Sequence, residues 1–261
     1  MMQRRNLLTV IAAGAVASPV FAAENKGALA PAEEPPKRDK KILFVITSHS
    51  DLGKTGKKTG YWLSEVTHPW KILKDAGYEI DFVSPKGGAC AFEGDDPSDP
   101  VNKEFSQDMV YQKKINFTLK PSDIKPDEYA AIYYAGGHGA MWDFPDNKEL
   151  AAIASKIYTN GGVVASVCHG AAGLINIKLP NGTYLINGKK INSFTDSEEE
   201  AVNLKNVVPF SLETKLKAQH AHFEKSDNFQ THCVVNDRVI TGQNPMSAAA
   251  VGSAIKNALD S

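Results

Sequence analysis

Cysteine is scarce in this chain, with three in 261 residues, so at most one disulfide can form and one thiol must stay free. An excess of charge of either sign is also absent. The 29 basic and 30 acidic residues almost cancel, and no basic stripe interleaved with aromatics runs along the chain, which excludes nucleic acid as a partner. Long apolar runs are missing too. The one candidate, residues 7–21, is too short to span a bilayer comfortably. What remains is an ordinary globular composition, 42% hydrophobic and 23% charged, sufficient for one sizeable core.

The N-terminus has a separate logic. Met1-Met2-Gln3-Arg4-Arg5-Asn6 is basic, residues 7–21 are apolar, and Val20-Phe21-Ala22 fits a small-x-small cleavage rule. Residues 1–22 therefore read as a bacterial-type signal peptide, and the paired Arg4-Arg5 hints at twin-arginine export. The expected mature protein is periplasmic or secreted, with no membrane attachment after cleavage. Residues 23–40 are Ala, Pro, Glu and Lys, including Pro35-Pro36, and read as a disordered linker. The folded domain is expected over 41–261. In an oxidising compartment Cys90 and Cys233 either pair or remain buried free thiols; sequence leaves both open.

Within the domain, apolar runs alternate with amphipathic ones. Lys41-Ile42-Leu43-Phe44-Val45-Ile46-Thr47, residues 78–84, Tyr129-Ala130-Ala131-Ile132-Tyr133-Tyr134-Ala135 and residues 162–167 are continuous or nearly so, as buried parallel strands are. A final strand is expected over 233–241. Helical spacing marks 61–76, with Pro69 expected to kink it or start a second piece, and also 147–160 and 246–259. Asn181-Gly182 and Asn187-Gly188 mark hairpin turns. The pattern predicts an α/β fold with a doubly wound, mostly parallel sheet, whose active crevice lies at the carboxyl ends of the strands.

The central stretch is Gly161-Gly162-Val163-Val164-Ala165-Ser166-Val167-Cys168-His169-Gly170. A buried strand turns sharply into a small-residue helix there, which places Cys168 at a helix N-terminus beside a histidine, two means of lowering a thiol pKa. A cysteine in an apolar strand is ordinarily inert, but this corner position favours a nucleophile. Gly136-Gly137-His138-Gly139 ends the preceding strand, and its free amides suit an oxyanion. Glu65, close to an apolar helical stripe, would ordinarily be solvated, and Glu198-Glu199-Glu200 would ordinarily complement a helix dipole. His220, His222 and His232 read as loop histidines, and no metal site is expected.

Taken together, Ala165-Ser166-Val167-Cys168-His169-Gly170, Ala135-Gly136-Gly137-His138-Gly139 with Asp143-Phe144-Pro145, Glu65 before His68-Pro69, and Thr241-Gly242-Gln243-Asn244-Pro245 resemble the ThiJ/PfpI superfamily of glutamine amidotransferase-like proteins. Its glyoxalase III-like branch, which includes stress chaperones, is the most similar. Ala171 stands where that family usually has proline. The resemblance implies a flavodoxin-like fold with a nucleophile elbow. It implies catalytic roles for Cys168, His169, Glu65 and Glu199, with Glu198 as the neighbour in register, and oxyanion or substrate binding at Gly137, His138 and His169. It further implies conversion of a 2-oxoaldehyde such as methylglyoxal to lactate (the D-lactate dehydratase class of lyase) with no glutathione, metal or nucleotide cofactor, and it allows a homodimer. A holding chaperone or protein deglycase, and a small-peptide or amide hydrolase, are the competing functions.

Overall fold

The computed structural model describes residues 41–261; the signal-peptide and linker expectations for 1–22 and 23–40 lie outside the described residues. A six-stranded sheet is built from β1 (Lys41–Val45), β2 (Glu79–Val83), β3 (Ala131–Tyr134), β4 (Val163–Val167), β5 (Cys233–Asn236) and β6 (Val239–Gly242), in the spatial order β2-β1-β3-β4-β6-β5. All neighbours are parallel except the edge pair β6-β5. The expected single strand over 233–241 is therefore a hairpin. Asp237, with φ +57°, reverses the chain within the polar Asn236-Asp237-Arg238, a local turn signal between the two apolar stretches.

Alternate residues on each strand serve two cores. Ile42, Phe44 and Ile46 with Ala131, Tyr133, Ala165 and Val167 face one side. There they meet Trp70 and Leu73 of α1 (Leu63–Asp75), Phe105 and Tyr111, and Val251 and Ile255. Leu43, Val45, Ile132, Tyr134 and Val164 face the other, against Leu150, Ile153 and Ile157 of α2 (Lys148–Thr159). Burial on both faces explains why these strands read as unbroken apolar runs. The closing helix is Ala248–Asp260, entered through a 3₁₀ turn at Pro245–Ser247.

Three local outcomes differ from the sequence reading. Helix α1 is a single helix through Pro69, so of the two expectations for that proline a second helical piece does not form. Two further helices, Pro100–Gln107 and Met109–Asn116, follow the long loop of residues 85–99. Their signal is local: Asp99 accepts from Val101 and Asn102, Asp108 accepts from Val110 and Tyr111, and Pro100 holds the first helical position. Finally, the Asn187-Gly188 turn leads into Lys190–Ile191, which pairs in parallel with His222–Phe223 rather than back across a hairpin.

The chain passes from β1 outward to β2 and then crosses to β3 on the opposite side of β1. The direction of winding thus reverses between β1 and β3, where an open α/β sheet leaves a crevice at its carboxyl edge. Two loops flanking that crevice are tied together by Asp143, which accepts from Thr47 Oγ1 at 2.7 Å and from the Ser48 amide at 2.8 Å.

Candidate active site

Strand β4 ends at Val167, and Cys168 takes a φ of +56°. A non-glycine residue in this region stores strain of about 1–3 kcal/mol, which the surrounding packing must hold in place. Its cause is visible in the neighbours. Gly136, directly across, has no room for a side chain: a Cβ there would lie 2.5 Å from Glu65 Oε2 and 2.8 Å from the His169 nitrogen. Gly137, at φ +98°, brings its backbone equally close to Gly60 and Trp62. The two glycine positions let the loop after β3 press against the elbow.

Cys168, His169, Glu65 and Glu199 are all buried, and the structure brings all four together. The Cys168 sulfur lies 3.2 Å from His169 Nδ1, and the amides of His169 and Gly137 are directed at it. Glu65 reaches the thiol from α1. Its Oε2 accepts from the Gly136 amide at 2.7 Å, while Oε1 has no well-formed protein hydrogen bond. Burial pushes the Glu65 carboxyl up to about 8, against the opposing pull of Cys168 and the Gly136 amide. At neutral pH it is mostly a neutral acid.

The thiol does not follow the sequence expectation. The segment after the elbow is a seven-residue 3₁₀ helix, Cys168–Leu174, rather than an α-helix with a full dipole. Burial, and then the charge of Glu65, hold the Cys168 pKa well above the ordinary thiol value, outweighing the two amides that favour thiolate. Cys168 and Glu65 therefore act as one proton-holding unit, and the thiol is activated by giving its proton away rather than by resting as an anion.

On the far side of His169, Glu199 Oε1 faces two imidazoles. It lies 2.8 Å from His138 Nε2 and 3.3 Å from His169 Nε2. The two rings sit 4.1 Å apart, with Phe194 4.5 Å from His169. Burial works to raise Glu199, but its hydrogen bond to His138 and the close approach of His169 prevail and take it down to about 2. Burial first, and His138 second, lower His169 to about 4, so this ring is an uncharged acceptor at neutral pH. His138, grouped with the oxyanion donors on sequence, presents its ring to Glu199; the amides that face the sulfur are those of Gly137 and His169.

Glu198 points into a different network. It is fully buried and accepts from the Thr195 amide and hydroxyl, the Phe229 amide, Gln243 Nε2 and Asn244 Nδ2 at 2.8–3.1 Å. The Gln243-Asn244 motif thus fixes the short helix Asp196–Ala201 that presents Glu199. Sequence reading singled out the motif without a role for it. All three cysteines are free thiols, and the loop histidines 220, 222 and 232 form no group of ligand atoms among the described residues.

The chain is similar to known proteins over most of its length. The model of the DJ-1/PfpI family matches residues 58–258. Glyoxalase 3 of Candida albicans is 34% identical over 80% of this chain and 93% of its own length. Glutathione-independent glyoxalase HSP31 of Saccharomyces cerevisiae is also 34% identical, over the same shares. Among solved structures, the 24 kDa rapid encystment protein of Francisella tularensis superposes with a TM-score of 0.81 at 38% identity, covering 84% of this chain and 98% of that one. Glyoxalase III of Candida albicans superposes with a TM-score of 0.78 at 29% identity, over 84% and 96%. With its doubly wound sheet, its strained cysteine elbow and a family match spanning most of its length, this chain belongs to the DJ-1/PfpI family.

Proposed function

We propose that the protein is a glutathione-independent glyoxalase, a lyase of the D-lactate dehydratase class that converts methylglyoxal to lactate. The observation that carries this reading is the Glu65 carboxyl, buried against the Cys168 thiol with a pKa raised to about 8. Such a group is present in both protonation states near neutrality, which a proton shuttle requires. The names of the relatives with 34% identity point the same way.

The chemistry follows from the positions. The Cys168 sulfur adds to the aldehyde carbon of methylglyoxal, its proton passes to His169 Nδ1 at 3.2 Å, and His169 returns that proton to the new alkoxide, giving a hemithioacetal. The amides of Gly137 and His169 face the sulfur and stabilise the oxyanion beside it. Glu65, as carboxylate, removes the proton from the former aldehyde carbon to give an enediolate, the hydroxyl proton on that carbon passes to the oxygen of the adjacent carbon, and Glu65 then delivers its own proton to the adjacent carbon itself. The result is a lactoyl thioester. Water attacks it, with His169 as base, releasing lactate and restoring the thiol. One water is consumed and no external oxidant or reductant is needed.

The test is methylglyoxal loss and lactate formation without glutathione, in the wild type and in Cys168→Ala. Turnover in the wild type that is absent from the variant supports the reading; no turnover in either refutes it. The basic, apolar and small-residue order of residues 1–22 supports export to the periplasm as the setting of this activity, testable by the N-terminus of the protein recovered from periplasmic extracts.

A second reading, a holding chaperone, is supported by an exposed apolar patch. Met109, Val110 and Phe117 are 79%, 63% and 73% exposed. Single exposed apolar residues are common, but three on one short helix and its end form a patch. Suppression of aggregation that survives Cys168→Ser and falls on replacing these three with serine would support it.

A further inference from the structure

The arrangement around Glu199 shows a competition. One oxygen, Oε1, faces two imidazole nitrogens, and the shorter approach belongs to His138, at 2.8 Å against 3.3 Å for His169. Only the first is a well-formed hydrogen bond; His169 Nε2 and Glu199 Oε2 are both left without one, although both are buried. A buried polar atom without a partner costs about 1–3 kcal/mol, so the ordinary cysteine-histidine-carboxylate chain is incomplete here at the carboxylate end. Other polar groups around the ring do not complete it. Cys168 occupies Nδ1, Glu65 lies beyond the thiol, Glu198 is committed to Thr195, Phe229, Gln243 and Asn244, and Phe194 offers only its ring.

We propose that His138 is a positioning residue that holds Glu199 away from His169 and thereby keeps His169 an uncharged acceptor for the Cys168 proton. Were Glu199 fully engaged by His169, the carboxylate would stabilise the imidazolium, and the resting enzyme would tend toward a thiolate–imidazolium pair in place of the neutral thiol and imidazole. By taking the shorter bond, His138 prevents this. The inference rests on the proposed reaction only for its kinetic consequence, because the protonation of His169 is measurable without any substrate.

Three variants separate the hydrogen bond from the bulk of the ring. His138→Asn places its amide near the position of Nδ1 and falls short of Glu199; His138→Gln reaches the position of Nε2 and restores a donor; and His138→Asn with Glu199→Gln removes the carboxylate being contested. The titration midpoint of the His169 ring, followed by NMR in the full folded domain, should rise in His138→Asn by about 1–3 pH units, the usual effect of gaining an opposite charge in contact. It should rise less in His138→Gln, which loses only the charge of His138, and the excess rise should vanish in the double variant. If the protein turns over methylglyoxal, the acidic limb of its kcat/KM profile moves upward with the same midpoint in His138→Asn. An unchanged His169 midpoint in folded His138→Asn, or equal shifts in the Asn and Gln variants, overturns the proposal. Absence of turnover in all forms refutes the glyoxalase reading and leaves the ring titration to decide this one.

Discussion

The Tyr133 hydroxyl donates to the backbone carbonyl of Glu65 at 2.6 Å, in the buried interior between β3 and α1. That carbonyl is the one a residue four positions on would normally serve, and the residue there is Pro69, which has no N–H. Tyr133 supplies the missing donor from the neighbouring strand. The helix continues past its proline, and the backbone of the residue whose carboxyl meets Cys168 is anchored to the sheet.

Removing that donor should be costly. Tyr133→Phe leaves a buried carbonyl unsatisfied, and unfolding measurements should show a loss of about 1–3 kcal/mol. Turnover should fall as well, because Glu65 is less firmly held. Pro69→Ala returns an N–H to the Glu65 carbonyl, so the double variant Tyr133→Phe, Pro69→Ala should lose less stability than the sum of the two single changes. Strict additivity would show that the two residues do not serve the same oxygen.

Adjacent glutamates should behave in opposite ways. Glu198→Gln turns an amide N–H₂ toward groups that are themselves donors, including Gln243 Nε2 and Asn244 Nδ2, and should lower stability by about 1–3 kcal/mol. Glu199→Gln, which loses charge but keeps its size, should melt nearer to wild type and shift the pH dependence of turnover instead. Thermal unfolding and pH–rate profiles of the pair check this; a more severe loss of stability in Glu199→Gln than in Glu198→Gln would reverse the assignment.

The pH dependence of stability carries the signature of Glu65. Its carboxyl is raised from 4.5 to about 8 in the fold, so the folded state favours its protonated form. The stability gained is fully present below about pH 4.5 and is lost as pH rises through about 8. In a Cys168→Ala background, which removes the raised thiol beside it, the melting temperature should fall from about pH 6 to about pH 9 more steeply with Glu65 than with Glu65→Gln. Parallel curves would mean that Glu65 titrates as an exposed carboxylate does.

Much of this was legible in the chain because it is written locally. Unbroken apolar runs ending in Cys168 and in Gly136-Gly137 fixed the parallel sheet and its active edge, since strands buried on both faces need such runs. The helix starts at Asp99 and Asp108 carry an equally local signal in their caps, which the sequence reading did not use. What could not be read were relations across the sheet. Gln243 and Asn244 gain meaning only when they reach Glu198, and His138 looked like a loop donor until the fold placed its ring against Glu199. The thiol expectation failed for a related reason. Neighbouring residues indicate a helix end and a histidine, but the depth of burial that raises Cys168 is a property of the whole domain. Pro69 did leave a clue: a proline inside a helical pattern orphans the carbonyl four residues earlier, and a buried Tyr was the natural donor.

The most direct measurement is glutathione-independent turnover of methylglyoxal by Glu65→Gln, alongside alkylation of Cys168 and the melting temperature of the same sample. The substitution keeps the size of the side chain and removes the proton-carrying group. Turnover should drop by about 10²–10⁴-fold, the contribution of a positioned acid–base group, while Cys168 still alkylates and the protein remains folded. Near-normal turnover with unchanged melting would contradict the role of Glu65 as the shuttle and leave His169 alone to move both protons.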